Sequence, residues 1–415
     1  MKASIVCIGD ELLIGQTINT NAGWIGEQLN LIGIDVIQTL AISDKENEII
    51  RALNESALLA DVIIITGGLG PTKDDITKYT LCKYFDTHLE LNQEVLERIK
   101  EYFAKRNREM LEVNMRQAEI PANCRMIVNN NGTAQGMWFD KNGKIFVSMP
   151  GVPFEMKGMM SETVLPDLAS MNKEQIVHRT LLTTGIGESF LADKIKDIEN
   201  DLRSDGLGLA YLPSPGLVKL RITAKGADKS SMQNSVDVFA QRIIHEIGNY
   251  YFAEGSDTLE IIIAELLKST KQTFGTVESC TGGNIGRGIT SVPGASDFYN
   301  GTITAYAYSV KENVLGLDHD TLVKEGAVSE WCAIELAKNG RKLLGADFCV
   351  STTGIAGPTG GSDVKPVGTI WIGFSSAERT YAKKFLFGPN RAYNIQMATA
   401  AALNMLRLEL TGKVN

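Results

Sequence analysis

The first third of the chain alternates two hydrophobic periods, and this alternation constrains the fold most tightly. SIVCIGD (4–10) reads as a buried strand, NAGWIGEQLNLIG (21–33) as an amphipathic helix and DVIQTLAIS (35–43) as a second strand. ENEIIRALNESALLA (46–60) and DVIIITGGLGP (61–71) repeat the pattern, the latter a strand that runs into a glycine loop. Strand, helix, strand, helix, strand implies a mostly parallel sheet with right-handed crossovers, an α/β architecture. Helices over 74–86 and 92–107 follow, and IFVSMPGVPFEM (145–156) adds a strand, a proline-bounded turn and a helix start.

At 415 residues the chain exceeds what one core sustains, so several domains are expected, the first ending near 170. A shorter α+β unit spans 171–255: VHRTLLTTGIGES (177–189), a helix near 190–204, a strand pair over 207–226 turned at SPG (214–216), and a helix near 229–248. A third unit, 256–415, starts with a helix over 257–269 and a strand over 273–279. It continues through the glycine-rich segment 352–368 and the strand TIWIGFSS to a helix over 391–410. No 20–50-residue repeat or low-complexity tract interrupts these units.

Composition narrows the function. Lys plus Arg number 41 against 49 Asp plus Glu, a net charge of −8, so no general basic field is available for a nucleic-acid backbone. Six cysteines and four histidines are scattered without zinc-site spacing, which fits reduced thiols in the cytoplasm. No run approaches 18 apolar residues, so no membrane span is expected.

Two constellations can carry chemistry. In TGGLGPTKDDITKY (66–79), Gly67, Gly68 and Gly70 let backbone N–H groups approach a ligand at the carboxyl end of a central strand, where open α/β sheets bind phosphates. Thr72 continues this loop. Asp74 and Asp75 repel phosphate unless a divalent metal lies between; the plainer alternative is that one of them caps the next helix. Asp10 and Glu11 of GDELLIG emerge at the same edge. Asn19, Thr20 and Asn21 follow as ribose or base ligands, Asn19 being equally suited to a helix cap.

The second constellation is TVESCTGGNIG (276–286), a strand entering a turn with Ser279, Cys280 and Thr281 before Gly282 and Gly283. Such a turn exposes a nucleophile and aims N–H groups at an oxyanion. Tyr306, Tyr308 and Lys311 supply a base within one segment, Thr353 and Gly354 open a further glycine loop, and Arg391 at a helix start suits a phosphate. The plainer alternative makes SCTGG a phosphate-cradling turn and Lys311 a surface lysine. Spacing does not choose between Ser279 and Cys280.

GDELLIGQTINTN, TGGLGPTKDDIT, MPGVPFEM, GIGES, ESCTGG, GAVSE, GIAGPTGG and KPVGT, in this order, resemble the competence/damage-inducible protein A (CinA) family. The resemblance implies a molybdopterin-binding-like three-layer αβα domain, a KH-like domain and a C-terminal amidohydrolase domain that converts nicotinamide mononucleotide (NMN) to nicotinate mononucleotide and ammonia. It implies Ser279 as the nucleophile, with Tyr306 and Lys311 catalytic, Ser296, Thr353 and Arg391 in the pocket, and no cofactor for this reaction. For the first domain it implies ADP-ribose pyrophosphatase activity dependent on a divalent metal, with potassium as a further ion. A homodimer is implied as well. The competing class is a non-catalytic protein that binds a pterin or a nucleotide.

Overall fold

Val62–Thr66 is buried at every residue, which a strand can be only when both faces of its sheet are covered. The structure, a computed structural model, describes residues 1–72, 75–172 and 174–413. The strands of its three main sheets are β1 (Lys2–Ile8), β2 (Asp35–Ile42), β3 (Val62–Thr66), β4 (Arg125–Ile127), β5 (Gly136–Lys141), β6 (Lys144–Met149), β7 (Gln175–Thr184), β8 (Gly208–Ser214), β9 (Leu217–Gly226), β10 (Tyr251–Glu254), β11 (Phe274–Glu278), β12 (Tyr299–Thr304), β13 (Phe348–Gly354), β14 (Thr369–Ser375) and β15 (Thr380–Leu386). The chain packs as two compact units, Met1–Val177 with Lys225–Met232, and His178–Ala224 with Gln233–Asn415.

The first unit holds a sheet of order β2-β1-β3-β6-β5-β4. Its first four strands are parallel, and β5 runs antiparallel to both neighbours. Successive side chains on a strand face opposite ways, and both sets are used. Ile5 and Cys7 of β1 join Val62 and Ile64 of β3 and Ile25 and Leu29 of the helix Thr20–Leu31 on one side. Val6, Ile8, Ile63 and Ile65 join Ile49 and Leu53 of the helix Glu46–Leu59 on the other. The result is a three-layer αβα sandwich. β2 and β3 flank β1 on opposite sides, so the carboxyl ends of β1 and β3 form the crevice at which such sheets take ligands.

The second unit carries a four-stranded sheet, β8-β9-β7-β10, and a five-stranded one, β12-β11-β13-β14-β15. β8 and β9 pair from Gly208↔Thr223 to Ser214↔Leu217, so Pro215 and Gly216 make the two-residue turn expected at SPG, with Gly216 at φ 78. The helix expected over 190–204 divides at Ile195 into Glu188–Lys194 and Lys196–Ser204. In the five-stranded sheet β12, β11 and β13 are parallel, and β14 and β15 continue antiparallel. Phe274, Val350 and Ile372 pack under the helices Leu259–Thr270 and Arg391–Leu410. Val277 and Cys349 pack on the other face against Cys332 and Leu336 of the helix Glu330–Leu344. Here too the first strand of the sheet lies between the second and third. Among the described residues no helix is long and apolar enough to cross a membrane.

Candidate active site

β11 ends on Glu278, and Ser279 is the first residue beyond it, its N–H held by the Thr352 carbonyl at the end of β13 (2.9 Å). Ser279 Oγ lies 3.1 Å from Lys311 Nζ. Lys311 belongs to the helix Tyr308–Asn313 and is 1% exposed, so the plain reading of it as a surface lysine is overturned. Its Nζ also donates to the carbonyls of Ala305 (2.5 Å) and Tyr306 (3.1 Å). Burial lowers its pKa below the ordinary lysine value, the nearby Cys332 and Cys280 thiols acting more weakly the other way. With two N–H bonds held by carbonyls, the third position of Nζ faces Ser279 Oγ; once the amine has lost its extra proton its lone pair points at the hydroxyl, which is the geometry of a general base.

Cys280 faces the same space but is buried, and burial pushes its thiol up to about 12. A thiol held protonated is a poor nucleophile. The choice that spacing leaves open is therefore tilted toward Ser279 by environment.

A cavity of about 180 Å³ gathers Ser279, Tyr306, Lys311, Thr353, Gly354 and Arg391. Thr353 is buried, its hydroxyl bonded to the Ala327 carbonyl (2.5 Å). Arg391 opens the helix Arg391–Leu410 and donates to the Gly357 carbonyl and the Tyr306 hydroxyl, both at 3.0 Å. The guanidinium therefore stands at the cavity with the tyrosine beside it.

Four expected ligands lie elsewhere. Glu278, fully buried, accepts from the main-chain N–H groups of Gly283 (3.0 Å), Ile285 (3.1 Å) and Gly286 (2.8 Å) and from the Thr281 hydroxyl (2.7 Å). The Glu278 carboxylate fills the helix start that the plain phosphate-cradle reading assigns to substrate. Thr281 also bonds Thr352 and sits behind the cavity, while Gly282, exposed, and Gly283 do not line it. The amides left for an oxyanion in this turn are those of Cys280 and Thr281, which make no bond to a main-chain carbonyl among the described residues. Ser296 is exposed in the short 3-10 helix Ala295–Asp297, between the helix Asn284–Thr290 and β12, outside the cavity. The reason is topological: β11 and β12 are parallel, with Phe274 opposite Tyr299, so a crossover helix delivers Ser296 to the amino edge of the sheet, opposite the edge that bears Ser279. The role of Glu278 is not among those expected from the sequence. An acid closing a buried strand just before a glycine turn and helix is the signal for it.

In the first unit, Gly67, Gly68 and Gly70 bend around a cleft of about 410 Å³ together with Glu11 and Asp75. Gly67 has φ 108, and a Cβ there would meet the Ile8 carbonyl oxygen at 2.1 Å, so only glycine lets the two loops approach so closely. Asp75 Oδ2 accepts from the Thr72 N–H (2.9 Å) and hydroxyl (2.5 Å), tying the loop, while Thr72 lies off the cleft. Asp74 lies outside the described residues. Asp10 is exposed, its N–H donating to Asp44. Asn19 caps the helix Thr20–Leu31 through the Ala22 N–H, and Asn21 donates to the Gly151 carbonyl (2.7 Å), bracing the MPGVP loop behind the cleft. Asp44, unmarked by sequence reading, lines the cleft; its pKa is raised by burial first and then by Asp10, Glu11 and Asp75. Among the described residues no three acids, histidines or cysteines form a ready metal-binding group.

Two sheets that each present glycine-rich strand ends at a switch point define a multidomain α/β protein. The family model of a probable molybdopterin-binding domain matches residues 4–170, the KH domain of damage-inducible protein CinA 178–253, and the CinA C-terminal domain 256–410. A CinA-like protein of Cytophaga hutchinsonii is 43% identical over 409 residues, 98% of each chain. A putative competence-damage inducible protein of Caldicellulosiruptor saccharolyticus is 39% identical over 407 residues, again 98% of each. The solved structure of a CinA protein of unknown function from Thermoplasma acidophilum is 32% identical and covers 40% of this chain and 97% of that one, with a TM-score of 0.37. The chain belongs to the CinA family.

Proposed function

We propose that the second unit hydrolyses the carboxamide of NMN, giving nicotinate mononucleotide and ammonia. The observation that carries this reading is the buried Lys311 amine 3.1 Å from Ser279 Oγ. Neutral Lys311 takes the hydroxyl proton as Oγ attacks the carboxamide carbon, and the Cys280 and Thr281 amides receive the oxyanion. The C–N bond breaks as the Lys311 ammonium returns its proton to the departing nitrogen, leaving an acyl-serine. Water, deprotonated by Lys311, attacks this ester; its C–O bond breaks, nicotinate mononucleotide leaves and Ser279 regains its proton from Lys311. Arg391 holds the phosphate, and the small cavity receives the amide end of the substrate. Incubating the purified protein with NMN and resolving the products by chromatography tests the reading. Unchanged NMN at high enzyme concentration returns the site to a binding role for a pterin or nucleotide.

A second reading concerns the first unit, where a glycine loop and carboxylates share one cleft. We propose metal-dependent cleavage of the ADP-ribose diphosphate there. Oxygen donors suit a hard divalent cation, which keeps a few carboxylates and takes its remaining ligands from phosphate and water. Glu11, Asp44 and Asp75 line the cleft without forming a ready three-ligand group, so the ion would arrive with the diphosphate, and would relieve the mutual repulsion that adds to burial in raising Asp44. The ion would neutralise diphosphate charge, while the glycine loop brings backbone N–H groups to the anion. Release of AMP and ribose 5-phosphate from ADP-ribose only with added metal is the expected result; potassium is varied in the same assay.

A further inference from the structure

The GIGES motif is not used by either proposed reaction. Gly185, Ile186 and Gly187 follow β7 and border a cavity of about 400 Å³ within the second unit. This volume falls in the usual range of small-molecule sites, roughly 300–1,000 Å³. Phe385 and Phe387, whose ring centroids are 5.7 Å apart, line it with Tyr393 and Met397. Glu188 is the only charged residue in its lining and makes no salt bridge among the described residues. The cavity therefore joins aromatic rings to one unneutralised carboxylate.

Aromatic faces attract cations, most strongly when the cation is weakly hydrated, and a carboxylate adds to that preference. An anionic ligand meets Glu188 unfavourably, and a neutral apolar one leaves the carboxylate unused. We infer that this cavity is a second binding site, for a weakly hydrated organic cation, of which an N-methylated pyridinium is a suitable probe. The site lies outside the Ser279 cavity and shares no lining residue with it. The inference does not depend on either proposed reaction.

Calorimetric titration of the full chain with 1-methylnicotinamide, against neutral nicotinamide, tests it. The cation is expected to bind more tightly than nicotinamide, to weaken several-fold with Glu188→Gln and to lose binding with Glu188→Lys. Glu188 is exposed, so both variants are expected to fold. Equal affinity of the cation for the native chain and Glu188→Lys overturns the inference, as does nicotinamide binding as tightly as its methylated form, or no binding by either. Repeating the titration with Lys311→Met separates the two cavities: unchanged affinity is expected, and loss of binding there would assign the cation to the serine cavity instead.

Discussion

Lys311 is buried in a place where its charged form is disfavoured, and this has consequences for rate and for stability. Ser279→Ala and Lys311→Met should each lower NMN hydrolysis by about 10³-fold, the scale of general-base assistance. The double variant should be little worse than either, since members of one catalytic unit act non-additively. Cys280→Ala should keep most activity, its thiol being held protonated near 12. An inactive, folded Cys280→Ala beside an active Ser279→Ala reverses the assignment. Activity should rise with pH as Lys311 loses its proton. The same shift acts on folding. Unfolded Lys311 keeps its proton to about pH 10.4, whereas the folded lysine releases it at lower pH, so between these values unfolding takes up a proton and stability climbs with pH. Lys311→Met lacks this gain. Its melting temperature relative to the native chain should therefore fall as pH rises through that window.

At the scale of elements, Glu278 joins β11 to the helix Asn284–Thr290 through three main-chain N–H groups. Glu278→Gln replaces a charged acceptor with an amide that turns a donor toward those groups. The expected loss is about 1–3 kcal/mol of stability, read by denaturant titration, with a fall in kcat as the Ser279 turn loosens. An unchanged midpoint would deny the carboxylate this role. Much of the architecture was legible because β1 and β3 are apolar runs followed directly by glycine. The helix Glu330–Leu344 was not singled out, and Gly340 in its middle gives the physical reason. A Cβ there would meet Val277 Cγ2 at 2.2 Å, so packing against β11 requires a residue that weakens the local helical pattern. Ser279 and Lys311 were legible as types within two segments, but their 3.1 Å approach depends on burial that no local pattern encodes. Ser296 was misplaced because likeness of motif carries no information about which sheet edge a residue reaches. Asp44 was missed because it enters the cleft from the loop after β2, far in sequence from the glycines.

For the whole molecule, the two proposed reactions belong to different compact units. Asp75→Asn should weaken ADP-ribose cleavage while NMN hydrolysis stays within a few-fold; loss of both in a folded variant would join the sites. EDTA should abolish the first reaction and spare the second, which relies on a serine, a lysine and backbone donors. We also expect a homodimer, so light scattering should give twice the chain mass of 45.2 kDa across concentrations. The buried Glu278 has a further consequence for how the protein behaves among competing solutes. Because the chain supplies its own anion to the helix beside Ser279, inorganic phosphate finds that berth taken and can compete only at Arg391. Phosphate inhibition of NMN hydrolysis should thus raise KM without touching kcat, and largely vanish in Arg391→Ala, leaving the reacting serine indifferent to the phosphate content of its surroundings.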